Sequence, residues 1–376
     1  MDGVRLLVFK QLESERGFAR MARFGGYASG AKLKEALLNK NGEIQNFGAF
    51  VKIVHYMFPE EKFELMIEFS KTLNSNNQTA RYMLEYLSVH KLDKAKKELL
   101  ERMTDTKDNH EWAFVYGMDD KLASNQISKY DAITELSKKN YVSYEMEILA
   151  EIVKFYAYYD LRNIQLMISI YDDIKEKLGL ISNSFIKHNF AARTLLLETS
   201  VKLHCDIKAD LREKLFIIED ALDPIKSLAY LQIGNSYIFE NYEKAKSAYV
   251  KGIHCATGNS LKQLKKSMNF LSIYWNNFDW YTEDEDDISN QLYYYAKIGC
   301  KEKAITIIEK IDFNKLNNHE KAFNYYYQAI VFKDKSLLYK SVEYFNKCNE
   351  KFYKKLPIIE LKKQGEHDYI INALIA

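Results

Sequence analysis

Helix breakers are scarce in this chain. Its 376 residues hold only 3 prolines and 14 glycines, the residues that punctuate turns and stop helices. Helices joined by short connections follow from that shortage. From residue 60 onward, apolar residues recur at intervals of three and four across 63–73, 79–87, 93–103, 111–122, 145–158 and 163–174. One buried helical face requires that spacing, and nothing reads as a strand. The expected class is all-α. The chain exceeds the usual size of one domain, so two domains or a repeat array are expected.

The first part of the chain reads as short helices at 4–12, 17–24, 31–39 and 47–58, the last ended by Pro59. In the second, Phe18, Met21 and Ala22 fall on one side and Arg16, Arg20 and Arg23 on the other. The stretch Gly25-Gly26-Tyr27-Ala28-Ser29-Gly30 is the richest in glycine and must turn. Helix, tight glycine turn, helix is the pattern of a helix-turn-helix, whose second helix enters the major groove. Small residues are needed where the two helices touch, and Ala22 and Gly26 have the spacing for that contact. The competing reading is an ordinary helical hairpin with solvated lysines. Charge favours a contact with polyanions at one end only. Residues 1–56 carry 9 Lys/Arg against 5 Asp/Glu, and the remainder 45 against 47. The candidates for DNA contact are Arg20, Arg23, Lys32, Lys34, Asn39 and Lys40, mostly at phosphates.

The second half carries repeats of the tetratricopeptide type, which alternate small and bulky positions in paired helices. Tyr230, Ile233, Gly234 and Tyr237 fit a first helix, and Ala245, Tyr249 and Gly252 its partner. Tyr295, Ala304, Ile308 and Ile311 fit a second unit, and Tyr325, Ala329, Phe332, Ser341, Phe345 and Cys348 a third. Such units stack into a superhelix with a concave groove suited to an extended peptide. Cys205, Cys255, Cys300 and Cys348 recur at about one repeat length and read as buried small positions rather than metal ligands. No Walker A, GxGxxG, HExxH or GxSxG pattern is present. The acidic run at 283–287 lacks the glycine and terminal glutamate of a calcium loop and reads as a cluster at a helix N-terminus. No cofactor, metal or catalytic residue is expected, and neither a signal peptide nor a membrane span is legible. A cytoplasmic protein with reduced thiols is the expectation.

Several segments carry a resemblance. YLQIGNSYIFENY at 230–242, FLSIYWNNFDW at 270–280 and YKSVEYF at 339–345, followed by Lys355-Leu356-Pro357, resemble the AimR family of arbitrium peptide receptors from Bacillus phages. FVKIVHYMFP at 50–59 and ARYMLEY at 80–86 are similar too, so the resemblance runs in order from about Gly17 to the C-terminus. It implies a helix-turn-helix head over 1–59 and a right-handed tetratricopeptide-like superhelix that senses peptide over 60–330. A last repeat with a C-terminal dimerisation element would occupy 331–376. It further implies a homodimer in the host bacterial cell that binds double-stranded operator DNA and a short communication peptide, and so controls the phage lysis–lysogeny decision.

At the implied peptide site, Asn235 matches a groove asparagine, whose amide both donates to and accepts from an extended backbone. Glu350 falls where an acidic side chain receives the peptide's arginine, and Phe352 nearby would pack against the peptide. Ser200, His204 and His319 stand where the family has asparagines. Lys226 is the cation nearest the family's arginine, a point charge in place of a planar fork. The apolar C-terminal residues Ile370, Ile371, Leu374 and Ile375 are implied to pack across the dimer interface, the alternative being docking onto their own last repeat. A repeat scaffold that binds a protein and no DNA, and a repeat-type phosphatase, are the competing functions.

Overall fold

The structure, a computed structural model, describes residues 3–39, 43–161, 164–205 and 222–375. Among these residues every regular element is helical, as the scarcity of helix breakers predicts. No helix among them is long and apolar enough to cross a membrane. The chain divides into two compact units, Met1–Thr194 and Leu195–Ala376.

The first unit opens with α1 (Gly3–Ser14), α2 (Phe18–Gly25), α3 (Gly30–Leu38), α4 (Phe47–Met57) and α5 (Lys62–Thr72). Val4, Val8 and Leu12 of α1 are buried, as are Met21 and Ala22 of α2 and Leu33 and Leu37 of α3. The glycine turn works differently from the sequence expectation. Gly26 is the left-handed C-cap of α2 at φ 81°, and a side chain there would meet open space. The close approach belongs to Gly30, where a Cβ would lie 3.0 Å from the Ala19 nitrogen and 3.1 Å from the Phe18 carbonyl carbon. The turn carries the start of α3 back over the first turn of α2, so the small residue is needed at the far end of the turn. Ser29 then caps α3, accepting from the Lys32 N–H at 3.2 Å.

The unit continues through α6 (Gln78–Val89), α7 (Asp93–Thr104), α8 (His110–Ala123), α9 (Lys129–Lys138), α10 (Tyr144–Asp160), α11 (Ile164–Leu178) and α12 (Ser184–His204). The division between units falls within α12. A fully buried carboxylate ties α6, α8 and α12 together. Glu85 accepts from Arg193 Nε at 3.1 Å and Nη2 at 2.9 Å, and from the Tyr116 hydroxyl at 2.8 Å. Burying a carboxylate is tolerable only with a cation and hydrogen bonds of this kind.

The second unit is built from α13 (Asp223–Tyr237), α14 (Tyr242–Cys255), α15 (Gly258–Tyr274), α16 (Ile288–Lys297), α17 (Lys301–Lys310), α18 (Asn318–Phe332), α19 (Lys335–Lys347), α20 (Lys355–Lys363) and α21 (Asp368–Ile375). Consecutive members pack as hairpins, α13 with α14, α16 with α17 and α18 with α19. The small positions read from the sequence are where helices touch. A Cβ at Gly234 would lie 2.2 Å from Tyr249 Cε1, so only glycine admits that ring. Ala304, Ala329 and Phe345 are fully buried, and the Ser341 hydroxyl donates to the Ala322 carbonyl at 2.8 Å. Phe332 differs: as the last residue of α18 it is 42% exposed. The cysteines differ too. Cys348 is buried, but Cys205, Cys255 and Cys300 are only half-buried.

Left-handed helix ends explain how so few glycines suffice. Arg16, Lys91, Asn125, Asn276, Lys333 and Asn349 all have φ between 50° and 56°. Each non-glycine residue there costs about 1–2 kcal/mol.

Candidate functional site

A short loop after α19 builds the site. Asn349 turns the chain at φ 54°, and the Glu350 N–H then bonds back to the Phe345 carbonyl at 3.0 Å. The next N–H, of Lys351, donates to the His204 carbonyl at 2.8 Å, which fastens the loop to the end of α12. That bond sets the His204 ring beside Glu350, and Nδ1 donates to Oε2. His319, in the first turn of α18, brings Nε2 to 3.6 Å from the same oxygen, within reach of an ion pair but longer than a hydrogen bond. The other oxygen, Oε1, accepts the backbone N–H groups of Phe352 at 3.0 Å and Tyr353 at 3.1 Å. Glu350 is only 2% exposed. Burial pushes its pKa up, but the His204 bond, the nearby His319 ring and the Tyr353 backbone N–H outweigh burial and hold it at about 2. The carboxylate is therefore ionised.

A cavity of about 570 Å³ lies beside this cluster, in the second unit. His319, Phe323 and Tyr353 form its wall on the Glu350 side; Glu350 itself does not line it. Farther round, Asn290 and Asn324 line it together with acidic and lysine side chains. Asn324 donates from Nδ2 to the Glu320 carbonyl at 3.1 Å, while its buried Oδ1 accepts nothing. Such a mixed wall, apolar rings with a few polar atoms, suits a small organic or peptide ligand.

The expected peptide residues divide. The structure brings His204, His319 and Glu350 together and sets Phe352 next to them. Phe352 is buried at 5% exposure against Phe239, ring centres 4.8 Å apart, so it supports the loop from behind. Asn235 is half-buried on α13 and accepts the Tyr249 hydroxyl at 2.8 Å. Ser200 is buried at 7% exposure on α12. Lys226 pairs with Asp223 at 3.3 Å within the first turn of α13. None of these three lines the cavity. Tyr353, Phe323, Asn290 and Asn324 do line it and were not singled out from sequence, because an aromatic or asparagine inside a helical run carries no local mark of facing a cavity.

In the head, α3 turns Leu33 and Leu37 inward and leaves Lys32, Lys34 and Glu35 exposed. Lys32 meets Glu35 at 2.6 Å, and Lys34 lies over the Phe9 ring at 5.3 Å. On α2, Arg23 is exposed and Arg20 pairs with Glu15 at 3.2 Å, both partners largely exposed. Asn39 instead closes the end of α3. Its Nδ2 donates to the Glu43 carbonyl at 3.1 Å, and its own carbonyl accepts from Arg5 at 2.8 Å. Lys40 lies outside the described residues. At the C-terminus, Ile371 is buried and Leu374 packs against the core of its own unit, Ile370 is half-buried, and Ile375 is 57% exposed.

Burial pushes the Cys205 and Cys255 thiols up, away from the nucleophilic thiolate. Among the described residues no cluster of His, Cys, Asp and Glu could hold a metal ion.

Comparison with known proteins gives consistent matches. The family described as AimR transcriptional regulator-like matches residues 62–363. The AimR transcriptional regulator of Bacillus phage phi3T is 30% identical over 371 residues, covering 95% of this chain and 96% of that protein. A solved structure of selenomethionine phAimR superposes with a TM-score of 0.81 at 28% identity, over 99% of this chain and 100% of that one. A ligand-bound phAimR structure gives 0.76 at 30% identity, over 87% and 100%. These relatives are transcriptional regulators and not enzymes, and this chain belongs to the AimR transcriptional regulator-like family.

Proposed function

We propose that the chain is a peptide-regulated, DNA-binding transcription regulator that sets the lysis–lysogeny decision of a phage. The observation that carries this reading is the cluster of His204, His319 and Glu350, from three separate parts of the second unit, behind one wall of a partly aromatic cavity that His319 alone of the three lines. A relative solved with a ligand supports a binding role for this fold. The peptide lies in the second unit, and the head binds operator DNA through Arg20, Arg23, Lys32 and Lys34. The exposed pairings of Arg20 with Glu15 and of Lys32 with Glu35 are weak, and phosphates displace them with release of counterions. The active form is a homodimer on an operator with two half-sites, joined through the exposed edge of α21 at Ile375 and Tyr369. Peptide and operator binding are coupled by about 1–3 kcal/mol, enough to change occupancy several-fold or more.

The test is calorimetry of the full-length protein with peptides encoded beside its gene, run with and without the DNA flanking that gene. One peptide is expected to bind and to shift operator affinity. If no peptide gives heat and the flanking DNA is not retarded in a gel, the scaffold reading replaces this one.

A further inference from the structure

We infer that Phe185 and Thr79 are positioning residues for operator recognition: they lie outside the head and fix the angle at which α3 is presented to DNA. The inference rests on the DNA-binding reading above.

The head rides on α4. Gly25 of α2 faces α4 so closely that a Cβ there would lie 2.9 Å from Ile53 Cδ1, and Gly30 brings α3 onto α2. Arg20, Arg23, Lys32 and Lys34 therefore turn wherever α4 turns. Domains joined by a polar linker swing by default, and a buried apolar junction is what stops them. Such a junction exists here, since α1–α5 share one compact unit with the helices that follow.

Three contacts hold α4. Ahead of it, the Ile44 N–H donates to the Thr79 hydroxyl oxygen at 2.8 Å, both residues buried. In its last turn, His55 Nε2 and the Tyr86 hydroxyl share a hydrogen bond at 2.7 Å. Thr79 and Tyr86 both belong to α6. Two contacts with one helix still let the head roll about the line that joins them. The third comes from α12. The Phe185 ring meets the Phe47 ring edge-on, ring centres 5.1 Å apart. A Cβ at Gly48 would lie 3.3 Å from Phe185 Cδ2, so the ring rests on bare backbone. Arg193 and Glu85 tie α12 itself to α6. The three points thus share one base, and Phe185 blocks the roll.

The size of the effect follows from DNA geometry. A binding constellation must be held to within about 10–20° of its productive orientation. One base pair turns the duplex by about 35°. Half-sites one base pair out of register are therefore misaligned by more than a fixed head tolerates, whereas a head that rolls can follow them.

The test measures binding of the full-length protein to the DNA flanking its own gene, with the half-sites located by footprinting. Three probes are compared by fluorescence anisotropy: the native operator, one with a base pair inserted between the half-sites, and one with a half-site scrambled. In the wild type the insertion is expected to weaken binding about tenfold. Phe185→Ala should shrink that penalty to below about threefold and leave affinity for the scrambled probe unchanged. A merely structural loss would instead lower all three affinities together. Phe185→Leu, which keeps an apolar wedge, should restore most of the penalty. If Phe185→Ala does not fold, Thr79→Val decides, since it removes one hydroxyl at nearly constant volume. A wild type that protects a single half-site, or is indifferent to the insertion, overturns the inference without any variant. So does a full tenfold penalty in the variant that folds. If the wild type binds none of the flanking DNA, the DNA-binding reading itself fails and the inference falls with it.

Discussion

Glu85 and Glu350, one buried carboxylate from each unit, are held by different chemistry. Glu85, in the first unit, is met by the fork of Arg193 and the hydroxyl of Tyr116. Glu350, in the second, is met by two imidazoles and two backbone N–H groups. A guanidinium stays charged at any pH a protein survives, and its planar fork fixes geometry. An imidazole changes charge near neutral pH and offers one nitrogen at a time. The first arrangement is a permanent brace among helices. The second is made of partners that can exchange, and it stands beside the cavity. The contrast teaches where to look for function: a buried charge with replaceable partners is a better pointer than a buried charge alone.

The largest test of this contrast is Arg193→Met. It leaves Glu85 buried without its cation and should cost about 3–5 kcal/mol of stability in urea unfolding. A loss smaller than that of the histidine variant below would break the comparison. Next comes acid. The folded pKa of Glu350 lies at about 2, below its ordinary value of 4.5. Its contribution is therefore fully present above pH 4.5 and is lost as pH falls from there through about 2. The loss amounts to about 3 kcal/mol and is read from thermal melts at stepped pH. Glu350→Gln should flatten that limb. His204→Asn keeps an amide donor near Oε2 and should cost about 1–2 kcal/mol by the same melts. Smallest is Tyr116→Phe, which removes one donor from Glu85 while the Arg193 fork remains. About 1 kcal/mol is expected in urea.

Much of the fold was legible because its signals are local. Periodicity placed most helices to within a residue or two, and the small positions Gly234 and Ser341 were readable from repeat spacing alone. Several helices escaped, α12, α15, α20 and α9 among them, and α9 shows why. Only Ala132 and Leu136 of its residues are buried, too few to trace a periodic face. The Arg193–Glu85 brace joins residues 108 positions apart, and nothing at either end marks the other. At the site, the resemblance drew His204, His319 and Glu350 together as ligand contacts. That they contact one another was not legible, because sequence spacing does not say which polar groups satisfy which. Phe352 shows the same limit. An aromatic beside a binding residue can face the ligand or the core, and here Phe239 occupies its face.

Tyr249 has a consequence of its own. Its ring rests on Gly234, which sets how closely α13 and α14 approach, and its hydroxyl holds the amide oxygen of the adjacent Asn235. One side chain thus governs both helix spacing and the orientation of a polar neighbour. Selection acting on either trait drags the other along, so these three positions can drift only as a set.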